Sequence, residues 1–245
     1  MPRVPIRSPL LSLAAVMLGI TLAGAAQAAW SHDPITSGLA FAPNPNVQYL
    51  SPDAPVADGN GGVFIPFVQW NGTGYDIAVQ RMTAAGTPAA GWPAGGALAY
   101  TSATFTSRDA PHLVLDGSGG VIVVWKDHRS GTHWEVYAQK LNSVGAPQWA
   151  LNGVLASVSS SSDKPQFAMC ADGAGGAFVA YRIDLSGTDQ DIHLSHLSPG
   201  GSSTIVTVAV PAGFQSDPAV CSDGLGGCYI AYDDNLGSTD RKSVV

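Results

Sequence analysis

Short apolar runs bounded by Gly, Pro, Asp, Asn and Ser recur along this chain. The best-formed set occupies residues 111–115, 120–126, 134–142 and 149–156, with turns at Asp116-Gly117, at 127–131 and near Gly145. Runs of this length, rich in Val, Ile and aromatic residues, predict β-strands. Asp-Gly between two such runs predicts a tight hairpin, because both residues tolerate the positive φ of primed turns. Val121-Ile122-Val123-Val124-Trp125 is apolar at every position, which predicts a strand buried on both faces.

The pattern repeats. Asp-Gly-x-Gly-Gly occurs four times, led by Asp58, Asp116, Asp172 and Asp223. Upstream of the copies stand Asp53-Ala54-Pro55, Asp109-Ala110-Pro111, Asp163-Lys164-Pro165 and Asp217-Pro218. Nine residues after each leading turn Asp comes an aromatic: Phe67, Trp125, Tyr181 and Tyr232. An acid then opens a further strand at Asp76, Glu135 and Asp191, and Trp92 and Trp149 follow in the first two copies. A tandem unit of about fifty residues holding four antiparallel strands is the pattern of a propeller blade. The expectation is an all-β fold, a β-propeller or partial propeller of four-stranded antiparallel blades, three complete and one incomplete. The blades divide at about 52–106, 107–161, 162–214 and 215–245, with the aromatic at the ninth position packing blade on blade. A solenoid or tandem sandwich modules are the structural alternatives.

Residues 1–28 read as a secretory signal peptide: Arg3 and Arg7, an apolar stretch from Leu10 to Ala26, then Ala26-Gln27-Ala28 for cleavage. The stretch is short and broken for a membrane span, and the expected location is secreted or at the cell surface. Residues 29–51 read as an N-terminal strand segment, because Trp30 with Gly38-Leu39 echoes Trp149 with Gly153-Val154. Such a strand could complete the last blade and close the ring. The fourth copy runs out near Asp240, and residues 241–245 match nothing in the repeat, which reads as an incomplete fourth blade.

Composition supports the class. There are 29 Gly and 17 Pro, and Glu135 is the sole glutamate among 18 acids. Asp serves turns where Glu serves helices. Losing Arg3 and Arg7 takes the net charge from -7 to -9. No Lys/Arg run occurs, which disfavours nucleic acid and anionic membranes as partners.

The run Asp116-Gly117-Ser118-Gly119-Gly120, Trp125-Lys126-Asp127-His128-Arg129-Ser130-Gly131, Glu135-Val136-Tyr137-Ala138-Gln139, Gly145 and Trp149 resembles a repeat of large secreted bacterial proteins. That repeat reads D-G-x-G-G-x-x-V-x-W-x-D-x-R-x-G, then D-I-Y-A-Q-x-L. The resemblance extends from about Pro52 to Asp240 and implies a sialidase-like propeller. It is close in the second copy and looser elsewhere: Ser195 replaces Gln in the third, which also lacks the Trp.

For chemistry, Asp127, Arg129 and Glu135 form the charged cluster of the second copy. They read either as a pinned turn or as a glycan or calcium contact. Calcium requires six to eight oxygens, and no dense Asp spacing supplies them. Of the six histidines, His193 and His196 sit three apart on a strand and so point to opposite faces, which disfavours a metal site. Cys221 and Cys228 are symmetric about the last Asp-Gly turn, a disulfide candidate suited to export, with a valine-like core role as the alternative. Cys170 reads as a core residue. No catalytic constellation and no cofactor site emerges: the arginine cluster and Ser-x-Asp-x-Gly-x-x-Trp box of sialidases are missing. The reading is a binding or scaffold module for a glycan or an extracellular protein. A fragment of a propeller-type carbohydrate-active enzyme, glycosidase or sialidase-like, is the alternative.

Overall fold

In a computed structural model of the chain, residues 48–50, 55–210 and 212–235 are described, together with the backbone of 240–244. The leader at 1–28, Trp30, Gly38-Leu39 and Asp53 lie outside the described residues. Every described regular element is a strand, and the strands form four antiparallel sheets in chain order.

Blade 1 pairs β1 (Gln48–Leu50) and β2 (Val56–Ala57) with β3 (Val63–Trp70), followed by β4 (Tyr75–Met82) and β5 (Ala97–Tyr100). Blade 2 is β6 (Arg108–Leu115), β7 (Val121–Asp127), β8 (Glu135–Leu141) and β9 (Val154–Leu155). Blade 3 is β10 (Phe167–Ala171), β11 (Ala177–Ser186), β12 (Asp189–Leu197) and β13 (Ser203–Ala209). Blade 4 is β14 (Phe214–Ser222), β15 (Cys228–Asn235) and β16 (Asp240–Val244). The described residues therefore form four blades of a β-propeller, three with the full set of strand positions and the fourth with three strands.

One boundary differs from the sequence reading. The first blade begins at Gln48, because β1 and β2 share the inner-strand position beside β3. Residues 241–244, which match nothing in the repeat, supply the backbone of blade 4's third strand, with Tyr232 opposite Ser243.

Alternation of side chains across β7 divides it between two seams. Val121, Val123 and Trp125 join Phe64, Val79, Trp92 and Ala99 of blade 1. Ile122 and Val124 join Ala177, Val179 and Tyr181 of blade 3. A third seam holds Ala180 and Ile192 against Ile230 and Tyr232. Trp125, Tyr181 and Tyr232 thus each face the preceding blade, the packing role expected of the ninth-position aromatics. The first strands of successive blades touch one another, β6 with β10 and β10 with β14, which places them innermost.

The third-strand glutamines hold the Trp-bearing loops. Gln139 Oε1 accepts the Trp149 amide at 2.9 Å while its Nε2 donates to Ala150 O at 2.9 Å. Trp149 lies outside β9, in the loop before it, and its indole Nε1 donates to Pro199 O of the next blade at 3.0 Å. Trp92 does the same to Ser143 O at 2.9 Å. Ser195 stands in place of the Gln in blade 3, the blade without a Trp loop to hold.

Each Asp-Gly-x-Gly-Gly turn is an anion cradled by amides. In blade 2 the Asp116 Oδ1 accepts the Ser118 and Gly120 amides, both at 2.8 Å, and the Asp116 amide donates to Gly120 O at 3.1 Å. The same pattern recurs at Asp58, Asp172 and Asp223. Gly117 and Gly119 take φ of +74° and +87°, and a Cβ on Gly120 would stand 2.2 Å from Leu141 O. The second carboxylate oxygen meets a basic side chain from the third strand: Arg81 at 2.8 Å from Asp58, Lys140 at 3.5 Å from Asp116, His196 at 3.0 Å from Asp172.

Burial opposes the charge on Asp58, Asp116 and Asp172, but these donors outweigh it and hold all three carboxyls below their ordinary 3.8. A carboxyl depressed in the folded state contributes stability that is complete above its unfolded value and is lost as pH falls through the folded one. Urea unfolding at stepped pH is therefore expected to show stability level above about pH 5 and falling below about pH 4. Asp116→Asn should flatten that acid-side slope; an unchanged slope would contradict the cradle's role.

Candidate functional site

Asp127 ends β7 opposite Glu135 at the start of β8. Its Oδ2 receives Trp125 Nε1 at 2.8 Å and Arg129 Nη2 at 2.6 Å, with Arg108 Nε 3.5 Å away, and its Oδ1 receives the Arg129 amide at 2.8 Å. Arg108, itself buried, donates to Tyr100 Oη and to Thr106 O, and lies 4.1 Å from the Tyr100 ring centroid. The Arg129 guanidinium lies 3.5 Å from the Tyr137 centroid and donates to Asn152 O at 3.1 Å. Glu135 has Lys164 Nζ at 3.6 Å and His133 Nε2 at 3.5 Å. Lys164 is completely buried; burial lowers its pKa, and the Glu135 charge works the other way. Asp127 and Arg129 are thus committed to each other and to the framework between blades 1 and 2, and Glu135 to His133 and to Lys164 of the crossover between blades 2 and 3. Their donors and acceptors face inward, so the turn-pinning reading describes them.

The same end of the propeller carries a different surface. Trp70 and Tyr75 flank the turn between β3 and β4, with ring centroids 5.2 Å apart. Phe105, in the crossover to blade 2, sits 5.8 Å from Trp70 and is 75% exposed. Tyr49 of β1 completes the group 6.2 Å from Tyr75 and is 54% exposed. Asp76 locks the platform's two loops together: its Oδ1 accepts Asn71 Nδ2 at 2.7 Å and the Ser102 amide at 2.8 Å. Burial raises the Asp76 pKa, and these donors restrain the rise.

Beside the platform, Tyr49, Tyr75, Arg108 and Asp109 line a small hollow of about 110 Å³. Asp109 pairs with Lys126 at 3.3 Å, and Lys126 borders a larger cleft of about 270 Å³. That cleft crosses the innermost strands of three blades: Ala110 and His112, then Gln166 and Phe167, then Asp217 and Pro218. Gln166 Nε2 donates to Asp217 Oδ1 at 2.8 Å, Arg182 Nη1 donates to Gln166 Oε1 at 3.0 Å, and the His112 ring meets Phe167 edge-on at 5.2 Å.

Ala110 and Asp217, both before a proline, adopt φ of +49° and +50° at bulges in β6 and β14. A non-glycine residue in that region costs on the order of 1–3 kcal/mol, and bulges re-aim side chains beside sites. In both strands the residue that precedes the proline, Pro111 or Pro218, marks the bulge. The platform was not singled out in the sequence; its signal was four aromatics set among polar loop residues and at an inner-strand start.

The expected facing of Cys221 and Cys228 does not occur. The hairpin closes with Ser222 opposite Cys228, so Cys221 stands opposite Tyr229. This one-residue offset puts the two thiols on opposite faces of the sheet, and all three described cysteines are free. Cys228 packs into the seam between blades 3 and 4. Burial pushes the Cys170 thiol up to about 11, which suits a core role. His193 and His196 do lie on opposite faces, opposite Tyr181 and Phe178 respectively. Among the described residues no group of three His, Cys, Asp or Glu side chains could hold a metal ion, and no helix is long and apolar enough to cross a membrane.

Asp127→Ala removes the acceptor shared by Trp125, Arg129 and Arg108. Breaking a buried ion pair from one side is expected to cost about 3–5 kcal/mol in urea unfolding. A variant as stable as the parent would return these residues to the pool of surface contacts.

No family model and no curated protein matches the chain. Among solved structures it is similar to an endo-arabinase from Bacteroides thetaiotaomicron, at 14% identity and TM-score 0.42, over 76% of this chain and 70% of that one. It is also similar to a thermostable family-43 glycoside hydrolase, at 13% identity and TM-score 0.47, over 78% and 70% of the two chains. An endo-1,4-β-xylanase from B. thetaiotaomicron shares 14% identity at TM-score 0.37, over 69% of this chain and 60% of that one.

Proposed function

We propose that this chain is a secreted propeller module that binds a neutral glycan across the end face formed by the aromatic platform and the inner-strand cleft. The observation that carries the reading is the aromatic cluster in which exposed Tyr49 and Phe105 join half-buried Trp70 and Tyr75 beside a polar cleft. Clustered exposed aromatics are uncommon on a surface with no partner, and flat rings offer a sugar's C–H faces a stacking surface. The cleft supplies the complementary part: an amide at Gln166, a carboxylate at Asp217, an imidazole at His112 and an ammonium at Lys126. Charges of both signs occur together there, which favours a hydroxyl-rich neutral ligand over a polyanion.

A second reading, glycoside hydrolysis, is favoured by one feature. Asp109 and Asp217 are exposed carboxylates placed by the bulges of innermost strands, and hydrolysis of a glycosidic bond uses two carboxyl groups flanking it.

The test is calorimetric titration of the secreted chain against a panel of neutral oligosaccharides, with reducing-end release measured in parallel. Phe105→Ala is expected to leave stability within about 0.5 kcal/mol of the parent and to weaken binding about tenfold, or ~1.4 kcal/mol. Undiminished affinity in that variant would move the ligand off the platform. Turnover abolished by Asp217→Asn would replace the binding-module reading with the hydrolase.

A further inference from the structure

The innermost strands that meet at the cleft reach it in two ways. Pro111 and Pro218 stand five positions before the turn Asp of their blades, whereas Pro165 stands seven before Asp172. Blades 2 and 4 absorb the proline in a bulge at the residue before it. Blade 3 keeps its pairing on both sides of Pro165: the Arg182 amide bonds Gln166 O at 3.0 Å and the Asp184 amide bonds Asp163 O at 2.9 Å. No residue from 163 to 167 takes a positive φ, and the Gln166 side chain crosses from this strand to the bulge of blade 4.

Two bonds join them. Gln166 Nε2 donates to Asp217 Oδ1 at 2.8 Å, and the Asp217 amide donates back to Gln166 Oε1 at 3.2 Å. Arg182 Nη1 puts a second donor on Oε1 at 3.0 Å, and its Nε lies 2.8 Å from Asp184 Oδ1. Because Oε1 meets two N–H donors, the carboxamide has one orientation, with its NH2 group toward the carboxylate. Asp217 is thus held at φ +50° by a closed ring of bonds. Its carboxylate cannot turn without breaking that ring. Ser216 Oγ donates to the other oxygen at 3.0 Å.

The acceptor capacity left on this carboxylate points to its ligand. An ionised carboxylate accepts at about four lone-pair sites, and Gln166 and Ser216 take one on each oxygen. Each oxygen retains a site, so two neighbouring donors fit it and an acceptor does not. Gln166 and Ser216 are neutral, whereas Asp109 at the blade 2 bulge shares its charge with Lys126. Lys126 in the cleft lining and Arg182 behind Gln166 oppose a cationic ligand. A neutral pair of donors on adjacent carbons is a vicinal diol.

We propose, resting on the glycan reading of this face, that Gln166 is a positioning residue that fixes Asp217 to accept both hydroxyls of one sugar diol. The cleft therefore selects a sugar residue unsubstituted at that edge. Branching, acylation or methylation of either hydroxyl removes a donor and places bulk against the carboxylate. The aromatic platform reads ring faces and tolerates such groups.

Calorimetry of the whole chain against xylohexaose, cellohexaose, mannohexaose and arabinohexaose, each native and per-O-methylated, tests this without any variant. Methylation keeps the C–H faces for the platform and removes every O–H donor. At least one native hexaose should bind about tenfold tighter than its methylated form. Equal affinity for the two forms would overturn the diol contact and leave the platform reading standing. Absence of binding by every probe would overturn the glycan reading, and this proposal with it. Gln166→Ala and Asp217→Ala should each lose that same factor on the native hexaose, and the double variant no more than either alone. All three should bind the methylated form as the parent does. Parental affinity in Gln166→Ala beside a weakened Asp217→Ala would overturn the positioning role. Equal weakening of Gln166→Ala toward both forms would overturn it too, by assigning Gln166 to the scaffold.

Discussion

No blade of this protein can exist by itself, because both faces of its central strands are apolar. β7 illustrates the constraint: Trp125 and its even-spaced neighbours face blade 1, while Ile122 and Val124 face blade 3. A sheet of this kind exposes one hydrophobic side unless another sheet lies on it, so stability belongs to the seams. The fastening of the seams follows from the same need. The indoles of Trp92 and Trp149 each fill the next blade's turn, and a glycine at that turn leaves room for the ring. Lys140 reaches in the same direction, pairing with Asp116 in its own blade and donating to Gly175 O of the next at 2.9 Å.

This arrangement separates framework from surface. One end of each blade is spent on the Asp-Gly-x-Gly-Gly cradles and the Trp-bearing turns, both of which serve packing. At the opposite end, the charged network of Asp127, Arg108 and Arg129 pins the crossover between blades 1 and 2, and Glu135 pairs with Lys164 of the crossover between blades 2 and 3. The platform aromatics and the inner-strand cleft lie apart from these networks, with Tyr49, Phe105, Asp109 and Asp217 exposed. Recognition in the proposed reading rests on them, and rigidity of the site on the buried charges beneath.

Much of the fold was legible because its determinants are local and periodic. The turn aspartates, the double-sided strands and the ninth-position aromatics each have a single physical role that repeats with the blade. Other features depend on groups distant in the chain. The destination of Trp149 in blade 3 could not be read from its own neighbourhood, nor could the partnership of Asp116 with Lys140. The thiols of Cys221 and Cys228 were misplaced for a finer reason: symmetry about the turn Asp-Gly pair is not the register of the hairpin, which closes one residue away. Asp127 and Arg129 looked available for a ligand because charge in a polar turn reads as exposed. Asp127 is buried, and Arg129 lies between the Tyr137 ring of its own blade and the Tyr100 ring of blade 1, an arrangement that arises only when two blades meet. The platform went unread because Tyr49, Trp70, Tyr75 and Phe105 come from three separate segments and share no motif.

Hydrogen–deuterium exchange of the intact chain with and without a saturating neutral oligosaccharide tests the central division most directly. The account predicts added protection at residues 70–75, 101–112 and 165–167, with the Asp-Gly turns at 58–62, 116–120 and 172–176 unchanged. Protection confined to those turns, at the other end of the blades, would contradict it.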